Sequence, residues 1–266
     1  MFEAISYSGY GGLLISRDGE VSFVHDSRDR GPGRELFIRG TQDFAKLEIA
    51  LGLLHDAGRP PIDRLLDIGA NIGTICIPAV RRGLIASAIG VEAVPAIAQL
   101  FAANLALNGV ADKIGVVNAA VSAQAGDIVE IALNATNQGD NRVATARAAE
   151  DAAQFTGIVR VATTTIDDLL PDGAETTLIW MDIQGHEGIA LTGGKRSLAA
   201  TPPLVLEFCP LLMQQADSYD ALKTALAGYR GFHDLGHPGD LRGLAELDTL
   251  YATLGLRGNF TDIIVL

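Results

Sequence analysis

Leu65-Leu66-Asp67-Ile68-Gly69-Ala70-Asn71-Ile72-Gly73 runs from a short apolar segment through an acid into a glycine-rich turn, and then into a helix-like stretch, Ile72 to Arg82. A buried strand, a tight turn and a helix in that order make the nucleotide-binding corner of an open α/β sheet. The glycines are spaced Gly-x-x-x-Gly, unlike the dinucleotide fingerprint, and Asp67 stands where a pyrophosphate would approach. A carboxylate there repels phosphates by about 1 to 4 kcal/mol at ~4 Å in partly aqueous surroundings. It attracts a ligand carrying positive charge, and Gly69 and Gly73 let the backbone come close to that ligand.

S-Adenosylmethionine answers this description, having no phosphate but a sulfonium and an ammonium. The next strand, Ile85 to Glu92, ends in an acid 25 residues after Asp67, near the offset expected of a carboxylate that grips ribose hydroxyls. Asp67, Gly69, Ala70, Asn71 and Gly73 are therefore expected at the methionine end and Glu92 at the ribose. Asn118 and Ala119, after a third strand from Lys113 to Val121, are expected beside adenine. A capping role for a core asparagine explains Asn118 equally well.

Farther out, Phe44, Leu47, Leu51 and Leu54 mark a helix that stops at Gly58-Arg59-Pro60-Pro61, and Pro95 to Asn108 marks another. Asp127 to Leu133 and Ile158 to Thr164 read as an inserted strand pair. Leu178 to Asp182 and Leu204 to Phe208 are the fourth and fifth core strands, Asp217 to Ala227 is a helix, and Phe260 to Leu266 is a closing strand. Apolar strands joined by helices predict an α/β fold with a doubly wound, mostly parallel sheet covered on both faces. Residues 1–40 read as a β-rich extension with a loop at Arg28 to Arg34, and residues 41–266 as the main domain. Whether the extension covers substrate or pairs copies of a homo-oligomer stays open.

Composition narrows the classes further. The 266 residues are 48% hydrophobic, with mean hydropathy +0.25, enough for a core and too much for a disordered chain. A net charge of -12 has the wrong sign for a nucleic-acid partner. Cys76 and Cys209 lie in separate apolar runs and read as buried thiols of a reducing, cytoplasmic compartment. The apolar stretch from Leu84 to Val110 is interrupted by Glu92, Pro95, Gln99 and Asn104, so no membrane span is expected.

Residues just past the carboxyl ends of core strands face the ligand crevice. Asp182, His186 and Glu207 stand there and are the candidates for moving a proton. An imidazole accepts one near neutral pH, whereas Gly185-His186-Glu187 also reads as a plain helix start. Asp182 lies beside the methionine end or a substrate hydroxyl, unless it only caps a turn. Glu207, in the apolar run Val205 to Phe208, faces the crevice or a buried partner. No compact metal-ligand spacing is present. Asn137 to Arg142 reads as a polar loop in the insert, solvated or on the substrate side, and His233 to Pro238 as a late loop whose histidines are exposed rather than closed over substrate.

The segments Leu66 to Gly73, Gly90 to Glu92 with Asn104 and Asn108, Val117 to Ser122, Thr165 to Leu169 and Ile179 to Glu187 resemble the FkbM-type S-adenosylmethionine-dependent methyltransferases, over about residues 45–265. The resemblance implies a Rossmann-like class I methyltransferase fold and methylation of a hydroxyl on a sugar, glycolipid, polyketide or other small metabolite. Gln184 departs from the glutamate often found there. A non-catalytic S-adenosylmethionine-binding module and, less favoured, an NAD(P)-dependent oxidoreductase are the alternatives.

Overall fold

Apolar runs of about five residues are too short for buried helices and long enough for strands that cross a sheet. In a computed structural model, which describes residues 2–3, 12–41, 43–145 and 154–266, the chain begins with a hairpin, β1 (Leu13–Asp18) and β2 (Val21–Asp26). There follow α1 (Pro32–Arg39), α2 (Phe44–Asp56), β3 (Arg64–Ile68), α3 (Cys76–Arg81), β4 (Ser87–Val91), α4 (Pro95–Asn108) and β5 (Ile114–Val117). An insert holds β6 (Ala120–Val121), β7 (Ile128–Asn134), β8 (Arg142–Val143) and β9 (Phe155–Thr164). After α5 (Ile166–Leu169) come β10 (Thr177–Met181), α6 (Glu187–Thr192), α7 (Lys195–Leu198), β11 (Leu204–Phe208), α8 (Pro210–Ala216), α9 (Tyr219–Leu226), β12 (Phe232–Asp234), α10 (Leu247–Leu254) and β13 (Thr261–Val265).

Seven strands form the main sheet in the order β12-β13-β11-β10-β3-β4-β5. The five from β11 to β5 run parallel, and β13 runs antiparallel to both its neighbours. This is the expected doubly wound α/β sheet. Side chains alternate across a strand, so Leu65, Leu178, Val205 and Ile264 enter one apolar layer and Leu66, Ile179, Leu206 and Ile263 the other. Winding proceeds from β3 toward β5 and then resumes on the other side with β10. The switch point therefore lies between β3 and β10, where an open sheet binds its ligand.

The hairpin is fastened by two asparagines. Asn104 and Asn108, four residues apart, share one face of α4. The Asn104 Oδ1 accepts from the Val24 N–H at 2.7 Å, and its amide donates to the Val24 and Ile72 carbonyls. Asn108 repeats this at Ser22, accepting at 2.9 Å and donating at 2.7 Å. Both asparagines thus act as a strand edge for β2, and Val21 and Phe23 enter the same apolar layer as Leu65.

Three local expectations are corrected. The Arg28 to Arg34 stretch is a loop only as far as Gly31, because Pro32 sits in the first turn of α1, where its missing N–H costs nothing. Asp29, buried in that loop, accepts from the Gly31, Gly33 and Gln138 amides, which joins the extension to the insert. The helix expected from Ile72 begins at Cys76, since Asn71 and Gly73 have φ of +51° and +92°. The third strand breaks at Asn118-Ala119: β5 stays in the main sheet and β6 pairs with β9. The inserted strand pair, β7 with β9, is antiparallel, and residues 146–153 of the stretch between them lie outside the described residues. Among the described residues no helix is long and apolar enough to cross a membrane.

Candidate functional site

Gly69 has φ +83°, and a Cβ there would overlap the Asp182 carbonyl oxygen. Gly73 has φ +92°, and a Cβ there would collide with the Phe101 ring and Ile77. Both positions thus require glycine for the protein's own packing. The turn is locked to β4 through Glu92, whose carboxylate accepts from the Asn71 N–H at 3.0 Å and the Val94 N–H at 2.8 Å. Asn118 donates to the Glu92 and Ala93 carbonyls at 2.8 and 2.9 Å. Cys76 lies beside Asp67 and partly offsets the effect of burial on its carboxyl, while Asp67 Oδ2 is buried without a partner among the described residues. Burial raises both carboxyls, Asp67 to about 7 and Glu92 to about 7.

A second strained loop follows β10. Gln184 and Gly185 have φ of +56° and +94°, and a Cβ at Gly185 would strike the Leu212 backbone. Glu187 accepts from the Ile183 and Gly185 amides at 2.9 and 3.3 Å, so it closes the loop from within, and burial raises its carboxyl to about 7. The Gln184 amide nitrogen donates to Asp182 Oδ1 at 2.7 Å and Glu207 Oε2 at 3.0 Å. Burial, chiefly, raises both of those acids, with repulsion from Glu187 and Asp262 added to each and from Asp182 to Glu207, so the pair keeps a proton more readily than isolated carboxyls do.

Three adjoining hollows meet here. One, between the ends of β3, β4 and β10, is lined by Asn71, Glu92, Ala119, Val121, Asp182 and His186. A recess beside it is lined by Asp67, Gly69, Ala70, Asn71, Asp43 and Asp182. The third, a cleft of about 430 Å³, is lined by Asp182, Gln184, Glu207, Asp262, Lys46 and Arg142, among others. His186 is 8% exposed, its Nε2 lies 3.2 Å from Ser122 Oγ, and burial lowers its pKa to about 4. The turn residues, Glu92, Ala119, Asp182, His186 and Glu207 thus come together. Gly73 and Asn118 support the hollows without lining them. His233, bonded to the Gly239 carbonyl, and the exposed His237 lie apart from these hollows.

Lys46 and Asp262 line the large cleft with no local signal in the sequence. Lys46 pairs with Asp43 at 2.6 Å and with Asp262, and Asp262 stands opposite Glu207 in the β11–β13 register. Arg142, from the polar loop, borders both the first hollow and the large cleft. It is held by Gln215 at 3.0 Å and lies over the Phe155 ring. Among the described residues no group of three or more His, Cys, Asp or Glu side chains is placed to hold a metal ion.

No curated protein matches the chain. Among solved structures, it is similar to TYW2 of P. horikoshii in complex with MeSAdo, with 13% identity, TM-score 0.44, and coverage of 96% of this chain and 71% of that one. Geranyl diphosphate C-methyltransferase from Streptomyces coelicolor A3(2), in complex with Mg2+, geranyl diphosphate and S-adenosyl-L-homocysteine, has 13% identity, TM-score 0.41 and coverage of 83% and 78%. Precorrin-6y C5,15-methyltransferase from Geobacter metallireducens GS-15 has 16% identity, TM-score 0.40 and coverage of 82% and 85%. The model of the methyltransferase FkbM domain matches residues 67–232, from the acid of the first turn to the first residue of β12, and the chain belongs to that methyltransferase family.

Proposed function

We propose that the chain methylates a hydroxyl of a small neutral acceptor, of the sugar, glycolipid or polyketide kind, with S-adenosylmethionine as donor. The observation that carries this reading is the place of Asp182, which lines all three hollows and shares Gln184 with Glu207. The residues fit the donor. Asp67 offers a buried oxygen without a partner beside a recess suited to an ammonium, and Glu92 stands where a ribose would be gripped. S-Adenosylmethionine supplies a methyl group already activated on a sulfonium. The protein therefore aligns the acceptor oxygen for in-line displacement and removes its proton. The Asp182–Glu207 pair faces the large cleft and, in the form that has released its own proton to solvent, takes the acceptor's proton as the new C–O bond forms and the C–S bond breaks. Carboxylates outnumber cations along the cleft, which favours an uncharged acceptor over an anionic one.

The test is transfer of labelled methyl from S-adenosylmethionine to a panel of hydroxylated acceptors. Product carrying the label on oxygen supports the reading, whereas tight donor binding with no transfer across the panel favours a binding module.

The raised acids also set a pH dependence. Asp67, Glu92 and Glu187 each rise to about 7, so between the unfolded values of roughly 4 and pH 7 the folded protein holds protons that the unfolded chain has released. Stability of the ligand-free protein is expected to fall as pH rises through this window. Bound positive charge favours the carboxylates, so the melting-temperature gain from S-adenosylmethionine is expected to widen from about pH 5 to about pH 7.5. A gain that is flat or shrinks with pH would count against Asp67 and Glu92 facing the donor.

A further inference from the structure

His186 has one nitrogen accounted for and one that is not. Its Nε2 is held by Ser122, directly after β6, while its Nδ1 is buried with no partner among the described residues. Buried polar atoms without partners are rare in folded proteins, and this ring lines the first hollow with Glu92, Ala119, Ala120 and Val121. It is not among the residues that line the large cleft, where Asp182, Gln184 and Glu207 stand. The ring is therefore on the donor side of the acid pair and away from the acceptor's proton.

The neutral ring has one donor and one acceptor nitrogen. A purine edge offers partners for either, an amino group at position 6 and ring nitrogens at 1, 3 and 7. With Glu92 at the ribose, the base extends toward Ala119 to Val121 and the His186–Ser122 pair. We infer that His186 reads the purine: its Nδ1 hydrogen-bonds the edge of the donor's adenine, with Ser122 holding the ring in place from the other nitrogen.

This rests on the donor proposed above, and calorimetric titration separates the two without an acceptor. The probes are S-adenosylhomocysteine, S-inosylhomocysteine, and the 3-deaza and 7-deaza analogues of S-adenosylhomocysteine, which together alter each part of the edge. The parent is expected to bind S-adenosylhomocysteine and to discriminate against at least one of the others. His186→Phe, which fills the space without a nitrogen, is expected to lose about tenfold in affinity for S-adenosylhomocysteine and to lose that discrimination. His186→Leu gives the same comparison if phenylalanine prevents folding. His186→Asn, with its amide near the position of Nδ1, is expected to recover part of both. A folded His186→Phe or His186→Leu protein that binds all four ligands as the parent does overturns the inference, as does one weakened equally for all four. A parent that does not bind S-adenosylhomocysteine removes the donor reading and this inference with it.

Discussion

Asp182→Asn is expected to lower methyl transfer by about 10²- to 10⁴-fold, the range for loss of a positioned proton acceptor, with affinity for S-adenosylhomocysteine kept within about threefold of the parent. The substitution preserves shape, and the Asn oxygen still accepts from Gln184, which donates at 2.7 Å in the parent. What is lost is the capacity to take up a proton at the one acid that borders all three hollows. Glu207→Gln is expected to cost less, because Glu207 borders only the large cleft. Turnover with an acceptor from the transfer screen, measured beside calorimetry, checks both. An Asp182→Asn protein with parental turnover would remove the acid pair from the chemistry.

Gly69→Ala is expected to destabilise the fold by about 2 to 4 kcal/mol, summing an overpacking cost of ~1–3 kcal/mol with about 1 kcal/mol for a side chain at positive φ. Its Cβ would overlap the Asp182 carbonyl oxygen. Asp182 N–H donates to Ile68 O at 3.0 Å, so neither backbone can retreat without breaking the junction of β3 and β10. A melting temperature lower by about 10 °C follows for a chain of this size. Gly52→Ala is the control: it lies in α2 with nothing within 4 Å of an added Cβ and is expected to stabilise by about 0.5 to 1 kcal/mol. Equal melting temperatures for Gly69→Ala and the parent would show that the two strand ends do not abut as described.

Six strands of the main sheet were legible because they are mostly apolar and the corner carries Asp67 and two glycines, whereas β12, Phe232-His233-Asp234, lies in a stretch that reads as a loop. The extension and insert were harder to read, for physical reasons. Pro32 and Gly33 look like loop punctuation, although proline in a first turn begins α1. Asn118 and Ala119 sit inside an apolar run, and a change of sheet leaves no mark on hydrophobic periodicity. Around the site, Asp182 and Glu207 were recognisable as acids ending buried strands. Lys46 and Asp262 were not, because each reaches the large cleft from an element distant in sequence and has an ordinary local context, whereas Arg142 was marked only through its polar loop. Gln184 stood out only as a departure from the family, and its bonds to both acids appear only once β10 and β11 are side by side.

Asn104 and Asn108 grip β2 through its peptide groups and read none of its side chains by hydrogen bond. A socket of that kind is indifferent to most of what is plugged into it: the outer positions of the hairpin, such as Leu13 and Ile15, which are exposed, are free to drift while docking persists. Pro32 and Glu35, on the α1 segment after the hairpin, border the large cleft. Pro32 borders the recess beside Asp67 as well, so the segment that the hairpin delivers forms part of the wall of two hollows at once.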